Sequence, residues 1–256
     1  MLEIPIRPFR VAADERVAMS RKPVACLVHV YYPELWPELS RYISNLRSVP
    51  FDLLVNVVDQ PSASSLQSVI ERDFPNATIA ISPNRGRDIG GHFVLMRSID
   101  FSRYEIMCLI HSKKSPHIRF GGGRRWRRGL LNAILGSEHK VSANIRTMID
   151  DPTIGAIAAK RYCDRRLLAN AKTFHELLDR LEIPGSHREC EFVRGTMMLI
   201  RARVMRRLYE ALKDIEFEDE DKLAPVEQLD GQVPHAIERV IGNVIRAEGL
   251  KIMWRP

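Results

Sequence analysis

Three short segments carry residue types suited to gripping an anion. The first is Asn84-Arg85-Gly86-Arg87-Asp88-Ile89-Gly90-Gly91, two arginines about a glycine followed by a glycine pair. Before an expected helix, backbone N–H groups and bidentate guanidinium groups can meet phosphate oxygens. Asp88 can accept a hydrogen bond from a ribose hydroxyl. A solvated turn in which Arg87 and Asp88 pair locally explains the same residues. The second is His111-Ser112-Lys113-Lys114-Ser115, directly after an apolar run. Its lysines can neutralise a diphosphate as compact charges, or they simply solubilise a surface loop beside a structural His111. The third, Gly121 to Arg128, sets four arginines around Trp126 after a glycine run. A basic amphipathic helix there suits anionic lipid or a phosphate-bearing acceptor, while Leu130, Leu131, Ile134 and Leu135 suit a core.

Acidic residues supply the candidates for proton transfer. Glu227 and Asp230 are the candidate general bases, and Asp230 is equally a good helix cap. Glu238-Arg239 reads as a structural charge pair, and Glu216 to Asp221 as a solvated acidic face. Gly195-Thr196 interrupts the apolar run Phe192 to Ile200, marking either a close backbone approach by a ligand or a bulge.

The elements that must position these residues alternate in type. Val24–Val30, Phe51–Val58, Ala77–Ile81 and Glu105–Ile110 are short apolar runs that read as buried strands. Helical spacing separates them: Leu35, Leu39, Ile43 and Leu46, then Leu66, Val69 and Ile70 behind Ser62 or Ser64, then Phe93, Leu95 and Met96. Such alternation predicts a mostly parallel sheet flanked by helices, with ligands beyond the carboxyl ends of the strands. Trp126–Leu135, Phe174–Leu181 and a segment ending at Leu212 read as further helices, and Ile154–Ala159 as a strand.

Composition narrows the function classes. A chain of 256 residues, 45% of them hydrophobic, suits one large α/β domain, 23–256, behind an aperiodic basic arm, 1–22. No apolar run approaches the roughly 20 residues of a membrane span, and the opening MLEIPIRPFR lacks a signal-peptide pattern, so a cytoplasmic location is expected. The 4 cysteines contain no C-x-x-C pair, which argues against a disulfide framework or zinc site. The net charge of +7 favours a polyanionic partner. Nucleic acid is not the expected one, because aromatics make up 7% and the basic residues form no single tract.

The ordered motifs NRGRDIGGH, IHSKKS, WRRGLLNAILGS, RGTMMLIRA and LDGQVPHAIER resemble the rhamnan synthesis protein F family from about Val24 to Trp254. The family acts in assembly of rhamnose-containing bacterial polysaccharides such as rhamnan or O-antigen, and is similar to inverting glycosyltransferases of GT-A fold. The resemblance implies that Tyr31-Tyr32 contacts the nucleobase and Asp59 the base or ribose. Asn84, Arg85, Gly86, Arg87 and Asp88 would line the nucleotide site, with His111, Ser112, Lys113 and Lys114 beside them. Gly195-Thr196, with Trp126 and Arg127, would form the sugar or acceptor pocket, and Asp230 or Glu227 would be the base. Where such enzymes place an Asp-x-Asp metal motif, this chain has His111-Ser112-Lys113. Lys113, Lys114 and nearby arginines are therefore expected to replace the ion; no metal ligand is assigned, and use of a divalent ion stays open. The implied donor is dTDP-L-rhamnose and the acceptor a glycan, free or on a lipid carrier, met at the inner face of the cytoplasmic membrane. A non-catalytic nucleotide- or glycan-binding module of an assembly complex is the alternative.

Overall fold

In a computed structural model, residues 23–114, 122–223 and 230–256 are described. The arm 1–22, Ser115, Gly121 and Glu227 lie outside the described residues. The four apolar runs of the first half form β1 (Val24–Val30), β2 (Phe51–Val58), β3 (Thr78–Ser82) and β4 (Ile106–His111). Every residue of β1 and β4 is buried, as expected of interior strands covered on both faces. With β5 (Ile154–Ala159), β8 (Met198–Arg201) and β9 (Lys251–Arg255) they make a seven-stranded sheet in the order β3-β2-β1-β4-β8-β5-β9. Pairings β1–β2, β1–β4, β2–β3 and β5–β9 are parallel, while β8 runs antiparallel to both β4 and β5. The mostly parallel α/β architecture is thus the one expected.

Helices α3 (Arg87–Met96), α7 (Ala202–Leu212) and α8 (Val233–Ala247) form one layer on the sheet, and α1 (Trp36–Ile43), α4 (Gly122–Leu135) and α5 (Glu138–Asp150) another. Helix α2 (Ala63–Asp73) is stapled to α1 by Trp36, whose Nε1 donates to Asp73 Oδ2 at 2.9 Å. Leu130, Leu131, Ile134 and Leu135 of α4 are all fully buried, so the apolar side of this basic helix is core. Helix α6 (Ala171–Arg180) packs on α8.

The single strand expected from Phe192 to Ile200 is instead two strands in two sheets. β7 (Phe192–Val193) pairs with β6 (Cys163–Asp164), and β8 joins the main sheet. Between them Gly195 (φ +100°) and Thr196 (φ +50°) turn through the left-handed region, which ends any extended strand. Gly90 and Gly91 lie inside α3 rather than ahead of it. A Cβ on Gly90 would fall 1.9 Å from Arg85 O, and one on Gly91 would fall 2.1 Å from His29 Nδ1. Glycine is required there by close packing, not by a loop.

Candidate active site

Parallel strands deliver their carboxyl ends to one edge, and antiparallel β8 begins at that same edge. The segments following β1 and β4, the start of α3, the Gly195-Thr196 turn and the start of α8 therefore converge. They enclose a cavity of about 810 Å³, large enough for a nucleotide-sized ligand. Tyr31, Tyr32, Asn84, Arg87, Asp88, His111, Ser112, Lys113, Lys114, Trp126, Gly195, Thr196 and Asp230 all line it. The 84–88 and 111–114 segments thus share one cavity.

Ser112 ties the rim together. Its Oγ accepts the backbone N–H groups of Tyr31 (2.8 Å) and Tyr32 (2.9 Å), joining the loop after β4 to the loop after β1. The two tyrosine rings stand edge to face, 4.7 Å apart. His111 is buried, with Nε2 2.8 Å from the Gly195 carbonyl and 3.7 Å from Asp88 Oδ2. Burial lowers its pKa, so the ring is neutral near pH 7.

Four of the five Lys and Arg side chains that line the cavity among the described residues already have carboxylate partners. Arg87 pairs with Glu220 (3.0 Å), Lys114 with Glu34 (2.6 Å), Arg194 with Asp164 (3.2 Å) and Arg239 with Asp230 (3.1 Å). Lys113 has no ion pair within 4 Å among the described residues. Its ammonium sits 3.9 Å from the centroid of the Trp126 ring, a cation–π contact. Burial lowers the Lys113 pKa, against the opposing pull of Glu238 and Asp88.

The carboxylates divide into two kinds. Burial alone would raise the pKa of Asp88, but His111, His92, Lys113 and His29 around it hold it below the usual carboxylate range. Its Oδ2 is buried without a hydrogen-bond partner. Asp230 Oδ1 accepts from Asn170 Nδ2 (2.7 Å) and Arg239 Nη2 (3.1 Å), and Oδ2 from the Ala169 N–H (3.3 Å). These partners outweigh burial and lower its pKa. Asp230 does not cap α8; the N-cap is Gln232, whose backbone N–H donates to His235 Nδ1 at 3.4 Å. Glu238 stands one turn further along α8, on the same cavity wall. Its Oε1 accepts the Gly195 N–H at 2.6 Å and the Thr196 hydroxyl at 3.0 Å. Burial and the neighbouring Asp88 push its pKa up. Glu238 and Arg239 are no simple pair, since their closest approach is 4.0 Å and Arg239 is closer to Asp230.

Four expected site residues stand apart from the cavity. Asp59 is exposed at the end of β2, one strand out, with its backbone N–H taken by Ser82 O (2.8 Å). Arg85 forms a β-bridge with Asp219, and Gly86 (φ +69°) lies under the Phe217 ring. Segment 216–221 is therefore not a free acidic face: Asn84 Nδ2 donates to Asp221 (2.8 Å) and Glu220 is buried against Arg87. Arg127 is buried behind the 111–114 loop, where Nη2 donates to Glu38 Oε2 (2.5 Å) and Nη1 to Lys113 O (2.6 Å). Arg128 shares Glu38 (2.8 Å), so two of the four arginines of α4 serve structure. Glu238 was not among the candidate bases, because only the fold brings it beside the 195–196 turn. His29, also on the cavity wall, lies in no motif, and His235 and Glu238 belong to LDGQVPHAIER, a motif read for Asp230 alone as a base.

A cavity at the carboxyl edge of a mostly parallel sheet, with the half-buried Lys113 in its wall, defines an α/β protein whose candidate site lies where such sheets hold ligands. The chain belongs to the rhamnan synthesis protein F family, whose pattern matches residues 8–250. It is 27% identical over 235 residues to the uncharacterized protein WxcX in two strains of Xanthomonas campestris pv. campestris. That match covers 90% of this chain and 32% of WxcX, so the chain spans about a third of its curated relatives. The mannosyltransferase PcManGT from Pyrobaculum calidifontis, solved with GDP-Man and Mn²⁺, superposes with a TM-score of 0.47 at 15% identity. The superposition covers 98% of this chain and 58% of that one.

Proposed function

We propose that this chain is a glycosyltransferase of bacterial surface polysaccharide assembly, transferring a sugar with inversion from a nucleoside diphosphate donor to a glycan acceptor. Membership of the rhamnan synthesis protein F family supports L-rhamnose as the sugar and dTDP-L-rhamnose as the donor. The observation that carries the reading is Lys113, a cation with no ion-pair partner among the described residues, in a cavity large enough for such a donor. Its ammonium meets the charge that develops on the departing diphosphate. Tyr31 and Tyr32 face the nucleobase, and Asp88, on the cavity wall, takes a ribose or sugar hydroxyl. Trp126, Gly195 and Thr196 border the sugar. The acceptor is a glycan on a lipid diphosphate, met at the membrane surface.

Among the described residues no three His, Cys, Asp or Glu side chains gather as metal ligands. The charges of Glu238 and Asp88 favour the protonated ammonium of Lys113 against its burial. Calorimetric titration with dTDP and UDP, with and without Mg²⁺ or Mn²⁺, tests the reading. Binding without metal is expected, weakened about 30-fold in Lys113→Met, the worth of one charge-assisted hydrogen bond of about 2 kcal/mol. Absence of binding under every condition overturns it, and binding that strictly requires metal overturns the role of Lys113.

A further inference from the structure

We propose that Glu238, rather than Asp230, is the general base that takes the proton from the acceptor hydroxyl; this rests on the transferase reading above.

The geometry separates the two carboxylates. Asp230 has both oxygens engaged, by Asn170, Arg239 and the Ala169 N–H. Every one of those donors stabilises its charge and weakens it as a base. Glu238 is held by one oxygen. The Gly195 N–H and the Thr196 hydroxyl both point at Oε1, while the nearest cationic nitrogen to Oε2 is Arg239 Nη1 at 4.0 Å. The turn that aims these donors is costly: Thr196 is β-branched at φ +50° and Gly195 lies at φ +100°. Such outliers gather where a site must be pre-formed. Here the strained turn orients one carboxylate through Oε1, on a residue that lines the cavity, and leaves Oε2 without a hydrogen bond among the described residues.

Position agrees with basicity. A Cβ built on Gly195 would lie 3.5 Å from Lys113 Cδ and Cε and 2.8 Å from Leu130 Cδ1. Glu238 takes the N–H of that same glycine, so the base and the Lys113 side chain meet at a residue without a Cβ. The groups acting on Glu238 are Asp88 from α3, Lys113 from the loop after β4 and Arg239 from its own helix. Burial and Asp88 raise its pKa over the opposing effects of the Gly195 N–H, Lys113 and Arg239, bringing it towards the pH at which a base works well.

In the step itself, the acceptor oxygen attacks the anomeric carbon on the face opposite the diphosphate. The bond from that carbon to the β-phosphate oxygen breaks, and its electron pair leaves with the nucleoside diphosphate, whose charge Lys113 meets. The hydroxyl proton passes to Glu238 Oε2 and later leaves through the cavity mouth.

The test uses the full chain with dTDP-L-rhamnose and a lipid-diphosphate-linked glycan, following dTDP release, alongside dTDP binding by calorimetry. Glu238→Gln keeps an acceptor for the Gly195 and Thr196 donors. It is expected to lower kcat by 10²- to 10⁴-fold, the usual worth of a general base, while dTDP affinity stays within threefold. Glu238→Asp recovers part of that loss, and Asp230→Asn costs less than tenfold. Thr196→Val, which withdraws one donor from Oε1, moves the acidic limb of the kcat profile to higher pH and reads the same carboxylate even if Glu238→Gln does not fold. Near-normal kcat in Glu238→Gln, or an acidic limb unmoved by Thr196→Val, overturns the assignment with the transferase intact. A wild-type chain that binds neither dTDP nor UDP, with or without Mg²⁺ or Mn²⁺, overturns the transferase reading itself, and Glu238 with it.

Discussion

Lowering the pH from 7 to 5 is expected to remove about 4 kcal/mol of folding stability through His29 and His92. His29 is 4% exposed, with Nδ1 2.8 Å from Asn56 Oδ1. His92 is 1% exposed, with Nε2 3.2 Å from Ile110 O. Burial lowers both pKa values to about 4, against the smaller opposing effects of the Asn56 bond and Asp88 at His29 and of Asp88 at His92. In the unfolded chain both rings titrate near 6.5. The fold favours the neutral form, so this stability is complete above about pH 6.5 and is lost as the pH falls towards 4. Between pH 6.5 and 5 each ring accounts for about 2 kcal/mol, at about 1.4 kcal/mol per pH unit. Few carboxylates protonate in that window. His111 and His235, also lowered chiefly by burial, act in the same direction. Urea unfolding followed by tryptophan fluorescence at pH 7 and pH 5 measures the loss, and His29→Gln with His92→Gln should remove most of it. Equal stability at the two pH values within about 1 kcal/mol, or an undiminished loss in the double variant, refutes the reasoning.

Arg127→Met should cost about 2 to 3 kcal/mol in thermal unfolding, somewhat less than a fully broken buried pair because Arg128 still holds Glu38. By releasing Lys113 O it should also weaken dTDP binding in calorimetry. Gly91→Ala sets a methyl 2.1 Å from His29 Nδ1 and 2.8 Å from Asn56 Oδ1. A loss of about 2 to 3 kcal/mol is expected in the denaturant midpoint. Phe217→Ala withdraws the ring that covers Gly86 and meets Phe93 edge to face at 5.4 Å. Destabilisation of about 2 to 3 kcal/mol, with new proteolytic cleavage between Lys213 and Leu223, should follow.

Strand positions were legible because each strand is a self-contained apolar run. β1, β2 and β5 keep the ends read from sequence, and β3 and β4 shift by one residue. Other elements carried weaker signals. β9 (KIMWR) mixes charge with apolar residues because it is an edge strand. Helix α5 buries only Val141, Asn144, Ile145 and Met148, too few to stand out from its polar surroundings. Glu216 to Asp221 read as solvated because its partners, Asn84, Arg85 and Arg87, lie more than a hundred residues earlier.

Sequence by itself determined which chemistry was at hand: the NRGRD and HSKKS segments, the parallel sheet and the edge at which they meet, since apolar runs and strand–helix alternation are local properties. Which charges are engaged was decided only by tertiary structure. Arg87, Arg127 and Lys114 found carboxylates distant in the chain, whereas Lys113 found an aromatic face. Glu238 became a candidate base only when antiparallel β8 brought the Gly195-Thr196 turn against α8. Ion pairing and burial depend on distances between side chains far apart in sequence, and the order of residues along the chain does not encode those distances locally.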